Sequence, residues 1–162
     1  MAFWLLKSEP EEFSLADLFA QNQRKSCWDG VRNYQARNML RDEFKKGDLA
    51  FFYHSNCAEP GIAGIVEVVR EAYPDHTAFD PAHAHFDAKS DPENPRWFMV
   101  DVRYKRKLKR VVTLKELRNY ADSSLSELLL LRRGNRLSVM PVKKREWDFI
   151  VGLEKKARPV DG

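Results

Sequence analysis

Strand-like runs occur in this chain without the regular intervening helices of a doubly wound fold, and that order limits the fold more than any other feature. Phe3 to Lys7 reads as a short buried strand, ended by the Ser8-Glu9-Pro10 turn. Asp48 to His54 alternates, with Leu49, Phe51 and Tyr53 on one face and Phe52 and His54 on the other. Ile62 to Arg70 is Val-rich, and Gly64 within it predicts close approach of another backbone. Trp97 to Tyr104 forms the next strand and runs into a basic cluster. Helical patterns lie around these strands. A short one follows the capping box Ser14-Leu-Ala-Asp17, and a longer one covers Asn33 to Lys46. Another follows the capping box Thr113-Leu-Lys-Glu116, a Leu-rich one covers Ser124 to Leu131, and a final one has Pro141 in its first turn. The plan is α+β: a small curved or barrel-like sheet with helices packed outside.

The 162 residues suit one domain, expected over residues 1–156, with a disordered tail over 157–162. Residues 71–96 carry four prolines and too little apolar content for a second core, so they read as a long irregular segment. No apolar run approaches the roughly 20 residues of a membrane span, and the start lacks the basic region and cleavage site of a secretion signal. Cys27 and Cys57 lie outside any CxxC spacing, which makes an intracellular, reduced protein the default. The expected location is cytoplasmic, or nuclear in a eukaryote, and the expected state is monomeric. The net charge of +4 includes Arg103, Lys105, Arg106, Lys107, Lys109 and Arg110 in one stretch. Such a cluster suits a phosphate backbone, or serves as a solvated face.

The chemistry gathers in a few places. Cys27-Trp28-Asp29-Gly30-Val31-Arg32-Asn33 places a flat indole and two directional polar groups beside a turn. These parts can hold a planar polar ligand, or simply plug the core and cap a helix. Lys7-Ser8-Glu9 and Tyr53-His54-Ser55 each follow a strand, and they share one rim if the two strands are neighbours. Arg136-Leu137-Ser138 follows a Gly-Asn turn. His83-x-His85 has metal-ligand spacing, but no Cys or Glu completes a recognisable set, so neither metal nor cofactor is expected. Neither cysteine has the partner pattern of a nucleophile, and no glycine loop cradles phosphate.

Phe3 to Pro10, Cys27 to Asn38, Phe51 to Asn56 and Arg136 to Val139, four separated motifs in one order, together resemble the EVE domain family. The resemblance covers essentially the whole chain. It implies a PUA-like fold, a strongly bent pseudo-barrel sheet surrounded by helices and related to YTH and ASCH domains. It also implies a non-catalytic reader of a modified nucleobase, such as methylated or hydroxymethylated cytosine, in DNA or RNA. A reader of this kind lodges one extruded base between apolar surfaces. Stacking is worth about 1–3 kcal/mol and is blind to base identity, so edge contacts must provide selectivity. On this reading Trp28 and Tyr53 supply ring surface and Val31 fills the space beside the modifying group. Ser8, Asn33, Ser55 and Ser138 contact the base edge, with His54 and Leu137 beside them. Lys7, Arg32 and Arg136 hold flanking phosphate, and Glu9 orients one of them. Two alternatives stay open at this point: a small amidohydrolase acting on acylated cytidine through Lys7, Ser8 and Glu9, and a basic RNA-binding adaptor without a pocket.

Overall fold

A computed structural model describes residues 1–159. Among the described residues six strands form one mixed sheet: β1 (Phe3–Ser8), β2 (Lys25–Cys27), β3 (Leu49–His54), β4 (Gly61–Pro74), β5 (Phe98–Thr113) and β6 (Val139–Val142). Their order across the sheet is β2-β5-β4-β3-β1-β6. The β1–β3 pair is parallel and the other pairs are antiparallel. The long β4 and β5 shift register repeatedly, and such bulges bend and twist a sheet. The ladder stays open, ending at β2 and β6.

Alternation sends the strand side chains into two cores. Trp4, Leu6 and Phe52 join Trp28, Val31 and the helices α1 (Leu15–Phe19) and α2 (Tyr34–Asp42). Leu5, Phe51 and Tyr53 join Ile62 and the helices α3 (Leu114–Arg118) and α4 (Lys144–Leu153). Helices thus cover both faces of the sheet. Gly64 has the role its position predicts: a Cβ there would lie 2.7 Å from the Arg106 carbonyl oxygen and 2.5 Å from the Leu15 side chain.

Four local expectations change. Ser124 to Leu131 is not an α-helix; Leu128 and Leu131 donate backbone bonds to Leu125 and Leu128, the three-residue repeat of 3-10 turns. That repeat still buries Leu125 and Leu128. Pro141 lies in β6 opposite Trp4, where an edge strand tolerates the missing N–H. Gln21 to Ser26, whose polar residues suit a loop, instead runs into the three-residue strand β2. The basic cluster belongs to β5. Within it, Arg106 pairs with Glu154 at 2.8 and 2.7 Å, Arg110 with Glu116 at 2.6 and 2.9 Å, and Arg103 with Glu67 at 3.0 Å. Glu154 and Glu116 are buried, so two of these guanidiniums neutralise carboxylates inside the fold. At the C-terminus, residues 160–162 of the expected tail lie outside the described residues, while Arg158 pairs with Glu59.

Candidate nucleic-acid interface

Because β1 and β3 run parallel, with Lys7 opposite Tyr53 and Ser8 opposite His54, both strands end at one rim. The Ser55 N–H donates to the Ser8 carbonyl at 2.9 Å, and the Lys7 N–H donates to the Ser138 carbonyl at 2.9 Å. Three polar segments distant in sequence are thereby fixed side by side. Above them lies the loop after β2, pinned at both ends. The Trp28 N–H donates to Val100 O at 2.7 Å, and the Gly30 N–H donates to Asp75 Oδ2 at 2.8 Å.

Between these parts opens a cleft of about 500 Å³, within the range that holds small planar ligands. Its apolar wall is Phe13, Trp28 and Val31, and its hydroxyls are Ser8, Ser26, Ser55 and Ser138. Lys7 and Arg136 supply positive charge, and neither has a carboxylate partner among the described residues. Burial holds the Lys7 ammonium below the ordinary lysine pKa. The Ser8 hydroxyl donates to the Phe13 carbonyl at 2.6 Å, which leaves its oxygen free to accept.

Other residues expected at the site point elsewhere. Tyr53 is buried in the core on the opposite face, where burial pushes its phenol up to about 12. It gives the cleft no ring surface, because alternation on β3 turns it away. His54 accepts the Leu15 N–H at 3.1 Å and borders a separate apolar groove under α1; burial lowers its imidazole pKa. Asn33 caps α2, its carbonyl oxygen accepting the Ala36 N–H at 3.0 Å, and does not line the cleft. Leu137 packs against the cores. Glu9 lines the cleft but accepts from Asn56 at 2.8 Å rather than orienting a cation.

Arg32, expected to hold phosphate, has its guanidinium engaged by acceptors within the fold. Its guanidinium donates to Asp75 Oδ2 at 2.9 Å, Thr77 Oγ1 at 3.2 Å, Val31 O at 3.1 Å and His85 O at 2.7 and 3.2 Å. Burial pushes the Asp75 carboxyl up, but bonds from Thr77, Gly30 and Arg32 outweigh it and hold the group below the ordinary aspartate value. Through this knot the irregular segment is tied to the loop after β2.

The knot brings His83 and His85 into the cleft wall beside Asp29, a juxtaposition that spacing could not reveal. Gly30 makes the approach possible: its φ is +79°, and a Cβ would lie 2.5 Å from the His85 ring. The nearest nitrogen, carboxylate and nitrogen atoms of His83, Asp29 and His85 lie within 4.8 Å of one another. His83 Nδ1, however, accepts the His85 N–H at 3.0 Å, so the neutral ring carries its proton on Nε2 and is not set to bind a cation there. Cys27 also lines the cleft, but burial and the nearby Asp29, Asp101 and Asp75 raise its thiol pKa, the reverse of nucleophile activation. Nor do Lys7, Ser8 and Glu9 hydrogen-bond one another among the described residues; Ser8 and Glu9 turn to Phe13 and Asn56.

The whole chain has close counterparts. The human protein Thymocyte nuclear protein 1 is 49% identical over 168 residues, covering 94% of this chain and 74% of the human protein. A crystal structure of human THYN1 in complex with 5-methylcytosine containing DNA superposes with a TM-score of 0.94 at 47% identity, covering 98% of this chain and 100% of that one. A protein from Pseudomonas syringae superposes at 0.89 with 49% identity, over 94% and 99% of the two chains. The bent sheet with helices on both faces is thus the PUA-like arrangement of these relatives. The EVE domain model matches residues 2–153, and the chain belongs to the EVE domain family.

Proposed function

We propose that this protein is a non-catalytic reader of methylated cytosine in DNA, and that one extruded base enters the cleft beside Trp28. The observation that carries the reading is the composition of the cleft. One apolar wall faces several hydroxyls, and the cleft also holds two cations without carboxylate partners among the described residues. The human relative whose structure contains 5-methylcytosine DNA supports the choice of base and of DNA. In this reading Val31 and Trp28 enclose the methyl group, and Ser8, Ser55 and Ser138 meet the base edge. Lys7 and Arg136 face phosphate. A grip through the basic strand alone has less support, because Arg103, Arg106 and Arg110 already have carboxylate partners.

Trp28 is only 7% exposed and its ring meets Phe52 edge-on at 5.4 Å, so it belongs to the core as well as the cleft wall. Truncation to Ala would cost about 3–5 kcal/mol and confuse binding with unfolding. Chemical-shift mapping with a short methylcytosine-containing DNA avoids that difficulty. Perturbations centred on Ser8, Trp28, Val31, Ser55 and Ser138 are expected. A footprint confined to Lys105, Lys107 and Lys109 would overturn the proposal.

A further inference from the structure

A protein that reads methylated cytosine must also refuse thymine. The two pyrimidines carry the same 5-methyl group and the same 2-oxygen, so a snug apolar wall cannot separate them. They differ at position 4, where cytosine presents an amino donor and thymine an oxygen acceptor, and in the matching reversal at N3. Discrimination therefore requires a fixed acceptor, preferably charged, aimed into the cleft from beside the apolar wall.

Three carboxylates line the cleft: Glu9, Glu12 and Asp29. Glu9 is occupied by Asn56, and Glu12 is exposed on a turn. Asp29 is different. It directly follows Trp28, and its side chain is 30% exposed. Its backbone is held between the Trp28 and Gly30 peptide groups, both of which donate to fixed partners. Two imidazole nitrogens, His83 Nε2 and His85 Nδ1, each stand 3.8 Å from Oδ2, outside hydrogen-bond range. The carboxylate is thus partly shielded from solvent, carried on a pinned stretch of backbone and without a hydrogen-bond donor among the described residues. A cytosine amino group would satisfy it, whereas a thymine 4-oxygen would set two acceptors against each other.

We propose that Asp29 accepts a hydrogen bond from the 4-amino group of the bound base and so makes the cleft reject thymine, an inference that rests on the reader function proposed above. An unpaired site removes the difference in pairing strength between the bases. The test therefore uses single-stranded oligonucleotides that differ only at a central 5-methylcytosine, cytosine or thymine. Wild type is expected to bind the methylcytosine strand about tenfold or more tightly than the thymine strand, the worth of one good edge contact. Asp29→Asn keeps the shape of the side chain and adds an N–H donor that thymine can use. This variant should lose most of the methylcytosine-over-thymine ratio yet retain the preference for methylcytosine over cytosine, which share the amino group. Asp29→Ala, folded by circular dichroism, should show the same collapse through weaker methylcytosine binding. A folded Asp29 variant that keeps the wild-type methylcytosine-over-thymine ratio overturns the role of Asp29 alone. Wild type that binds methylcytosine and cytosine strands equally overturns the reader function itself, and with it this inference.

Discussion

Replacing Arg32 by Ala separates two accounts of one residue. A phosphate clamp would leave stability unchanged and reduce the salt dependence of binding. The structure predicts the reverse order of effects. The guanidinium makes five hydrogen bonds, one of them to the fully buried Asp75 carboxylate. Breaking a buried ion pair from one side costs about 3–5 kcal/mol. Asp75 keeps bonds from the Gly30 N–H, the Thr77 N–H and the Thr77 hydroxyl, and Arg32 is 23% exposed, so a loss of about 2–3 kcal/mol is expected. For a chain of this length that lowers Tm by roughly 4–12 °C, measurable by calorimetry. Acid behaviour gives an independent reading. Because the folded-state pKa of Asp75 is depressed, its stabilisation is present above the ordinary aspartate value of about 3.9 and disappears as pH falls through the folded pKa. Without Arg32, burial acts with less opposition, the folded pKa rises, and acid unfolding should begin at higher pH. An Arg32→Ala protein with wild-type Tm and acid limb, but a shallower salt slope of DNA binding, would instead make Arg32 a phosphate clamp.

Three further outcomes follow from the geometry. Gly30→Ala combines a positive φ with a clash against the His85 ring, so it should lower Tm by several degrees and weaken DNA binding; an unchanged protein in both assays would contradict the packing. Tyr53→Phe should leave DNA affinity unchanged within error, because the phenol hydroxyl lies in the opposite core, and a large loss of affinity would place that hydroxyl at the cleft. Lys7→Met should weaken binding and reduce the slope of log affinity against log salt by about one contact; in wild type, binding should fall with rising pH before the ordinary lysine value of about 10.4, since burial lowers the Lys7 pKa.

The sequence was legible where one local rule decided the outcome. Alternation in Leu49 to His54 assigns Tyr53 and Phe52 to opposite faces, a capping box marks the start of α1, and the Thr113 side chain caps α3 as its place in the motif suggests. It also holds the parts of the cleft, since Lys7, Ser8, Trp28, Val31, Ser55, Arg136 and Ser138 all line it. Their roles were harder to read, because role depends on partners far away in the chain. Arg32 reads as a free cation until Asp75 and Thr77 stand beside it. Asp29, His83 and His85 form one group only because the Arg32 knot draws the irregular segment across the cleft. The basic strand misleads for the same reason, since Glu116 and Glu154 reach it from later elements. The Leu-rich segment shows a further limit: a three-residue repeat of leucines serves consecutive 3-10 turns as well as an α-helix.

In the proposed function the cleft senses a methyl group on cytosine while cations hold the backbone. The most direct measurement is an equilibrium titration of the protein with two DNA duplexes identical except for one central cytosine or 5-methylcytosine, repeated at two salt concentrations. Tighter binding to the methylated duplex is expected, with equal salt slopes and a ratio of affinities that does not change with salt, because both duplexes offer the same phosphates. Equal affinity for the two duplexes, falling steeply and identically with salt, would contradict the proposed function.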